Sequence, residues 1–274
     1  MMGRIRIGNQ TAFSAPSAEL PFDFAVAHGF DAFEWFPDRN ESGIGWMEAD
    51  LGKDQRSFIR DTALAHDISL SVHAPWWADP LNPYALDVLF ESVAFAEDLG
   101  ASLFNIHLYQ DQGVASYLQA ILPLIDRLAS ARIKLSIENT PLTGPGDFNE
   151  LFCRLEKVGL AGAERVGMCF DLGHANLCQA TRNNYLEFIS LIAPQIPIIH
   201  IHLHENLGDQ DNHLTLFTGP AGSDTSGLHA FLERLTRRRF SGCMILEQWP
   251  EPPRLLLDAR DRLTMMLGEV QGTA

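Results

Sequence analysis

Six apolar runs in this chain each carry a histidine or a carboxylate at their far end: His73, His107, Glu138, Asp171, His202 and Glu247. The runs read ISLSVHAP, LFNIHLY, IKLSIENT, VGMCFDLGH, IPIIHIHLHEN and CMILEQW. Imidazole nitrogens and carboxylate oxygens together are the donors that zinc and manganese take. Singly, each histidine reads more simply as a hydrogen-bonded core residue. Six such groups at strand ends would bury charge without a partner, and a bound cation removes that penalty. Two close pairs extend the set. Asp171 and His174 stand three apart in FDLGH, where the chain turns from strand into loop, and Asp211 and His213 stand two apart in an extended DNH segment, side chains to one side.

Ligands at the ends of separate runs meet only if the runs lie parallel and side by side, as in a closed parallel barrel whose site is built at the strand C-termini. Two further runs, Arg4 to Gly8 and Ala32 to Phe36, bring the strand count to eight. Helical periodicity fills the intervals near 18–28, 52–66, 82–99, 114–130, 147–158, 183–193, 226–238 and 253–267. In the clearest, Asn82 caps, Pro83 suits the first turn and Gly100 stops the helix. Each βαβ unit needs about 30 residues, so this alternation predicts an α/β fold, a single (β/α)8 TIM barrel forming one domain over 1–274. The longest irregular connection, roughly Leu207 to Thr225, holds Asp211 and His213 and is expected to serve function.

Composition narrows the class. The chain has 274 residues, 46% hydrophobic, with 20 basic and 35 acidic residues for a formal charge of −15. That balance opposes a broad grip on a nucleic acid backbone, and Arg237-Arg238-Arg239 reads as a solvated helix face. The four cysteines form no CxxC pair, so metal must come from His, Asp and Glu. The N-terminus enters a strand pattern directly, without the apolar segment of a signal peptide or membrane span, which makes a cytoplasmic location the expectation.

In order along nearly the whole chain, SVHAPWW, NIHLY, SIENTP, GMCFDLGH, IHLHEN, DNH and ILEQ resemble the xylose-isomerase-like TIM barrels, a group that includes endonuclease IV (AP endonuclease family 2) and many sugar isomerases and epimerases. For a mononuclear isomerase the resemblance implies one ion held by Glu138, Asp171, His202 and Glu247. For an endonuclease IV-like centre it implies three. His73 and His107 would bind the first with Glu138, Asp171, His202 and Glu247 the second, again with Glu138, and His174, Asp211 and His213 the third.

Two chemistries follow. Clustered zinc or manganese ions, one to three per chain, activate water for attack on a phosphoester. A single ion polarises sugar oxygens while Glu138 and Glu247 shuttle a proton. The extra ligands favour hydrolysis of a phosphoester of a small sugar- or nucleotide-like metabolite. The isomerase or epimerase is the alternative, and a non-catalytic metal-binding barrel stands behind both. DNA is not the expected partner, because DLGHANL and HLHEN differ from the repair enzymes' versions and no basic stripe accompanies them. The expected catalytic residues are Glu138, Glu247 and His174. Trp35, Arg39, Trp76, Trp77, His204 and Trp249 are the expected substrate contacts.

Overall fold

In the computed structural model, which describes residues 4–12, 14–39 and 43–272, eight parallel strands close into a barrel. In chain order they are Ile5–Gln10, Ala32–Trp35, Ser69–His73, Leu103–His107, Lys134–Glu138, Val166–Asp171, Ile198–Leu203 and Gly242–Leu246. Each pairs with its neighbours in sequence, and the first pairs with both the second and the eighth. Gly8 makes one of these pairings possible, since a Cβ there would lie 2.3 Å from the Ala32 carbonyl oxygen. Helices form the outer layer. Asn82 accepts from the Tyr84 backbone N–H at 3.1 Å and opens Pro83–Leu99, and Gly100 closes it at φ 69°, as the sequence predicts. No described helix is long and apolar enough to cross a membrane.

Alternation along the strands sorts the side chains into two environments. The outward set, with Phe33, Trp35, Phe104, Ile137 and Phe170, packs under the helices as the apolar core. The inward set, where barrels usually carry bulky branched residues, is polar here in its upper half: Glu34, Ser71, Asn105, Ser136, Glu138, Cys169, His200 and His202 are all buried. Hydrogen bonds tie this interior together, as buried polar groups require. Ser136 donates to Asn105 Oδ1 at 2.6 Å, and Asn105 in turn donates to Glu138 Oε2 at 2.5 Å. The sequence pattern predicts the barrel but not the polar packing inside it.

A short helix, Leu172–Leu177, departs from expectation. Asp171 is its N-cap, accepting from the His174 backbone N–H at 2.6 Å, so FDLGH turns from strand into helix rather than loop. The long connection after the seventh strand is also more ordered than its composition suggests. Glu205 pairs with Leu214 across a β-bridge, and its carboxylate accepts from the backbone N–H groups of Phe217, Gly219 and Ala221 at 2.5, 3.2 and 2.6 Å.

Candidate metal centre

All six strand-end residues converge at the C-terminal mouth of the barrel. Glu138, the last residue of the fifth strand, is fully buried and acts as a hub. Four imidazoles face its carboxylate: His73 Nε2 at 3.1 Å, His107 Nε2 at 3.5 Å, His174 Nδ1 at 3.3 Å and His202 Nδ1 at 3.1 Å. Burial alone would push this carboxyl up, but His202 and His107 overcome it and hold it well below the usual carboxylate range.

Glu138, Asp171, His202 and Glu247 bring one donor atom each to within 4.8 Å of one another. Glu138 Oε1, Asp171 Oδ2, His202 Nδ1 and Glu247 Oε2 are buried and have no hydrogen-bond partner. Leaving such atoms unpaired costs about 1–3 kcal/mol each. The His202 ring makes the point sharper. Its Nε2 lies 2.7 Å from Glu34 Oε1 and donates to that carboxylate, so the Nδ1 lone pair faces Glu138 Oε2 at 3.1 Å and Glu247 Oε1 at 3.4 Å. A lone pair and carboxylate oxygens held that close need a cation among them. These donors fit a divalent metal of the zinc or manganese type. Without metal a proton takes that place, and the His202 pKa stands well above the imidazole value, since the surrounding anions outweigh the burial that alone would lower it.

A second cluster sits beside the first, toward the rim. His174, His204, Asp211 and His213 also bring donor atoms to within 4.8 Å. Asp211 Oδ2 lies 3.1 Å from His174 Nε2 and 3.2 Å from His213 Nε2, and His204 Nε2 lies 3.1 Å from Asp171 Oδ1, which joins the two clusters. The His204 and His213 rings stack at 3.9 Å and 5°. Gly173 leaves room for this, because a Cβ there would meet the His204 ring at 2.0 Å. Burial would lower the His213 pKa, but Asp211 and Glu247 raise it to about 9. Asp211 is held far below the carboxylate range, its burial overcome by hydrogen bonds from His174 and His213.

Above both clusters opens a cavity of about 1280 Å³, lined among others by Gln10, Phe36, Tyr109, Trp76, Trp249 and Glu247. Of the expected substrate contacts, Trp76 and Trp249 line it and the other four do not. Trp35 is fully buried and points outward, because Glu34 beside it points in; its ring packs against Phe22, Phe33 and Trp46. Arg39 turns away to pair with Asp50. Trp77 is exposed outside the cavity lining. His204 is buried among the carboxylates and joins the donor set instead. His213 is not extended but has a left-handed backbone, φ 45°, which aims its ring back at Asp211. Nor is Arg238 a solvated side chain, since it donates to the Ile192 and Ala193 carbonyls. Sequence reading passes over Glu34, His200 and Asn105. The one available signal was Glu34 itself, a charge flanked by Phe33 and Trp35 in a strand with no exposed face.

A family model described as xylose isomerase-like TIM barrel matches residues 22–265. An uncharacterised protein of Methanocaldococcus jannaschii is 25% identical over 244 residues, covering 80% of this chain and 75% of that protein. Among solved structures, a D-tagatose 3-epimerase-like protein superposes with a TM-score of 0.76 at 20% identity, covering 98% of this chain and 99% of that one. A Thermus thermophilus protein soaked with zinc chloride does so with a TM-score of 0.64 at 22% identity, covering 94% and 98%.

Proposed function

The chain belongs to the xylose isomerase-like TIM barrel family, and from that premise we propose that it is a metal-dependent isomerase or epimerase acting on an uncharged sugar. The observation that carries this is the lining of the cavity. Asp38, Asp111, Asp211, Glu247 and Glu251 contribute carboxylates and Phe36, Tyr109, Trp76 and Trp249 contribute rings, whereas no Lys or Arg is among the described lining residues. Such a wall offers a phosphate group no ammonium or guanidinium, while its carboxylates accept hydrogen bonds from sugar hydroxyls and its rings cover the apolar faces of the sugar. Glu138, Asp171, His202 and Glu247 would hold the metal, which when bound polarises hydroxyl and carbonyl oxygens. Glu247 lines the cavity, and to it we assign the removal of a proton from substrate carbon. Glu138, at the base of the centre, is the second acid–base group. The likeness in fold to a D-tagatose 3-epimerase-like protein supports the sugar reading.

Phosphoester hydrolysis at a multinuclear centre is the second reading, and the rim cluster favours it, since a one-metal isomerase has no need of His174, His204, Asp211 and His213. The two separate in deuterated water. Incubation with zinc or manganese and a panel of free and phosphorylated ketoses should incorporate deuterium into free sugars, without phosphate release from phosphomono- or diesters. Phosphate release without sugar exchange would reverse the assignment.

A further inference from the structure

Beneath the metal centre, Glu34 is fully buried in the barrel interior, on the second strand. Three groups donate to its carboxylate: His202 Nε2–H to Oε1 at 2.7 Å, His200 Nε2–H to Oε2 at 2.8 Å and Ser71 Oγ–H to Oε2 at 2.7 Å. The strand register puts Glu34 opposite Ser71, and His200 and His202 face the same interior two residues apart. An ionised carboxylate only accepts, and each Glu34 oxygen lies within hydrogen-bond distance of an imidazole Nε2. Both rings therefore keep a proton on Nε2.

We propose that Glu34 is the positioning residue of the metal centre: by holding the proton of His202 on Nε2, it fixes the ring's orientation and commits Nδ1 to Glu138, Asp171 and Glu247. Carboxylates behind metal-binding imidazoles act in this way, fixing the tautomer and raising the ligand's basicity. Here one carboxylate serves two rings, one oxygen each, so His200 and Ser71 in turn keep Glu34 from rotating away from His202. The inference rests on the metal-centre reading above, and it assigns Glu34 no contact with substrate.

The tautomer can be read directly. In protein labelled with nitrogen-15 at histidine and loaded with zinc, the His202 signals should show Nδ1 on the metal and a slowly exchanging proton on Nε2. In metal-free wild type the Nε2 proton should likewise exchange slowly, because Glu34 still accepts it. Glu34→Met, which removes every acceptor, should weaken zinc binding about 10–100-fold in competition with a chromophoric chelator and release the tautomer. Glu34→Gln keeps one acceptor and should fall between the two, and Ser71→Ala should stay near wild type. Zinc on His202 Nε2, or a Glu34→Met protein with wild-type affinity and tautomer, would overturn the proposal. If Glu34→Met fails to fold, the wild-type spectra still decide. If the wild type takes up no zinc, the proposed function falls, and the metal-free ring still tests Glu34.

Discussion

The deep and rim clusters share a boundary yet are built from opposite materials. Glu138, Asp171, His202 and Glu247 combine three carboxylates with one imidazole, whereas His174, His204, Asp211 and His213 combine three imidazoles with one carboxylate. The deep donors sit on or just beyond barrel strands and are buried. At the rim, His174 lies on a short helix and Asp211 and His213 on a loop, with side chains 35% and 37% exposed. Carboxylate-rich sets suit hard cations such as manganese, and imidazole-rich sets suit zinc. The deep cluster is therefore a property of the barrel, and the rim cluster a property of the connections laid over it.

The largest effect should come from the hub. Glu138→Ala removes the group that His73, His107, His174 and His202 all face. It should strip metal from the deep cluster and slow turnover by ~10²–10⁴, the usual worth of a general acid–base group. Full metal content by plasma emission after this change would break the distinction between the clusters. Asp211→Ala should act one step down. It should release only the rim-bound metal and leave deuterium exchange on a free ketose running. Loss of that exchange would mean that the rim takes part in the chemistry.

A pH series sharpens the contrast. Metal at the rim must displace the proton on His213, so zinc affinity there should strengthen as pH rises toward about 9. Stability of the metal-free protein runs the other way. A histidine whose pKa is raised from 6.5 to about 9 contributes fully below pH 6.5 and loses that contribution as pH rises through about 9. Asp211, with its lowered pKa, contributes above its ordinary value of 3.8 and loses that as the medium becomes more acidic. Thermal melts of metal-free protein should therefore fall on the alkaline side, and His213→Ala should flatten that limb. The smallest effect belongs to the cavity wall. Trp76→Ala should raise KM roughly 2–10-fold with kcat unchanged, for a ring contact of ~0.5–1.5 kcal/mol.

The deep cluster was legible in sequence for the same reason that it is rigid. A barrel strand is a short apolar run, and a charged residue at its end stands out, so His73, His107, Glu138, Asp171, His202 and Glu247 could be read together with the strands that carry them. Asp211 and His213 could be found by the resemblance of DNH but not placed, because their geometry depends on the left-handed turn at His213 and on Glu205. Trp35 shows where periodicity misleads. In AFEW every residue is buried, so the pattern does not say which face is inward. The answer depends on Ser71, His200 and His202, which complete Glu34's hydrogen bonds from other strands. Arg39 failed for a simpler reason: its partner Asp50 stands in a connection whose path the sequence did not reveal.

The carboxylate of Glu205 gathers three backbone amides of the connection that follows the seventh strand, much as a strand would. Long surface loops usually surrender conformational entropy when they close over a ligand, and that loss subtracts from affinity. Here the ordering happens during folding. On the proposed function, Asp211 and His213 would then stand in register before any cation or sugar arrives, with the connection forming a wall of the vestibule.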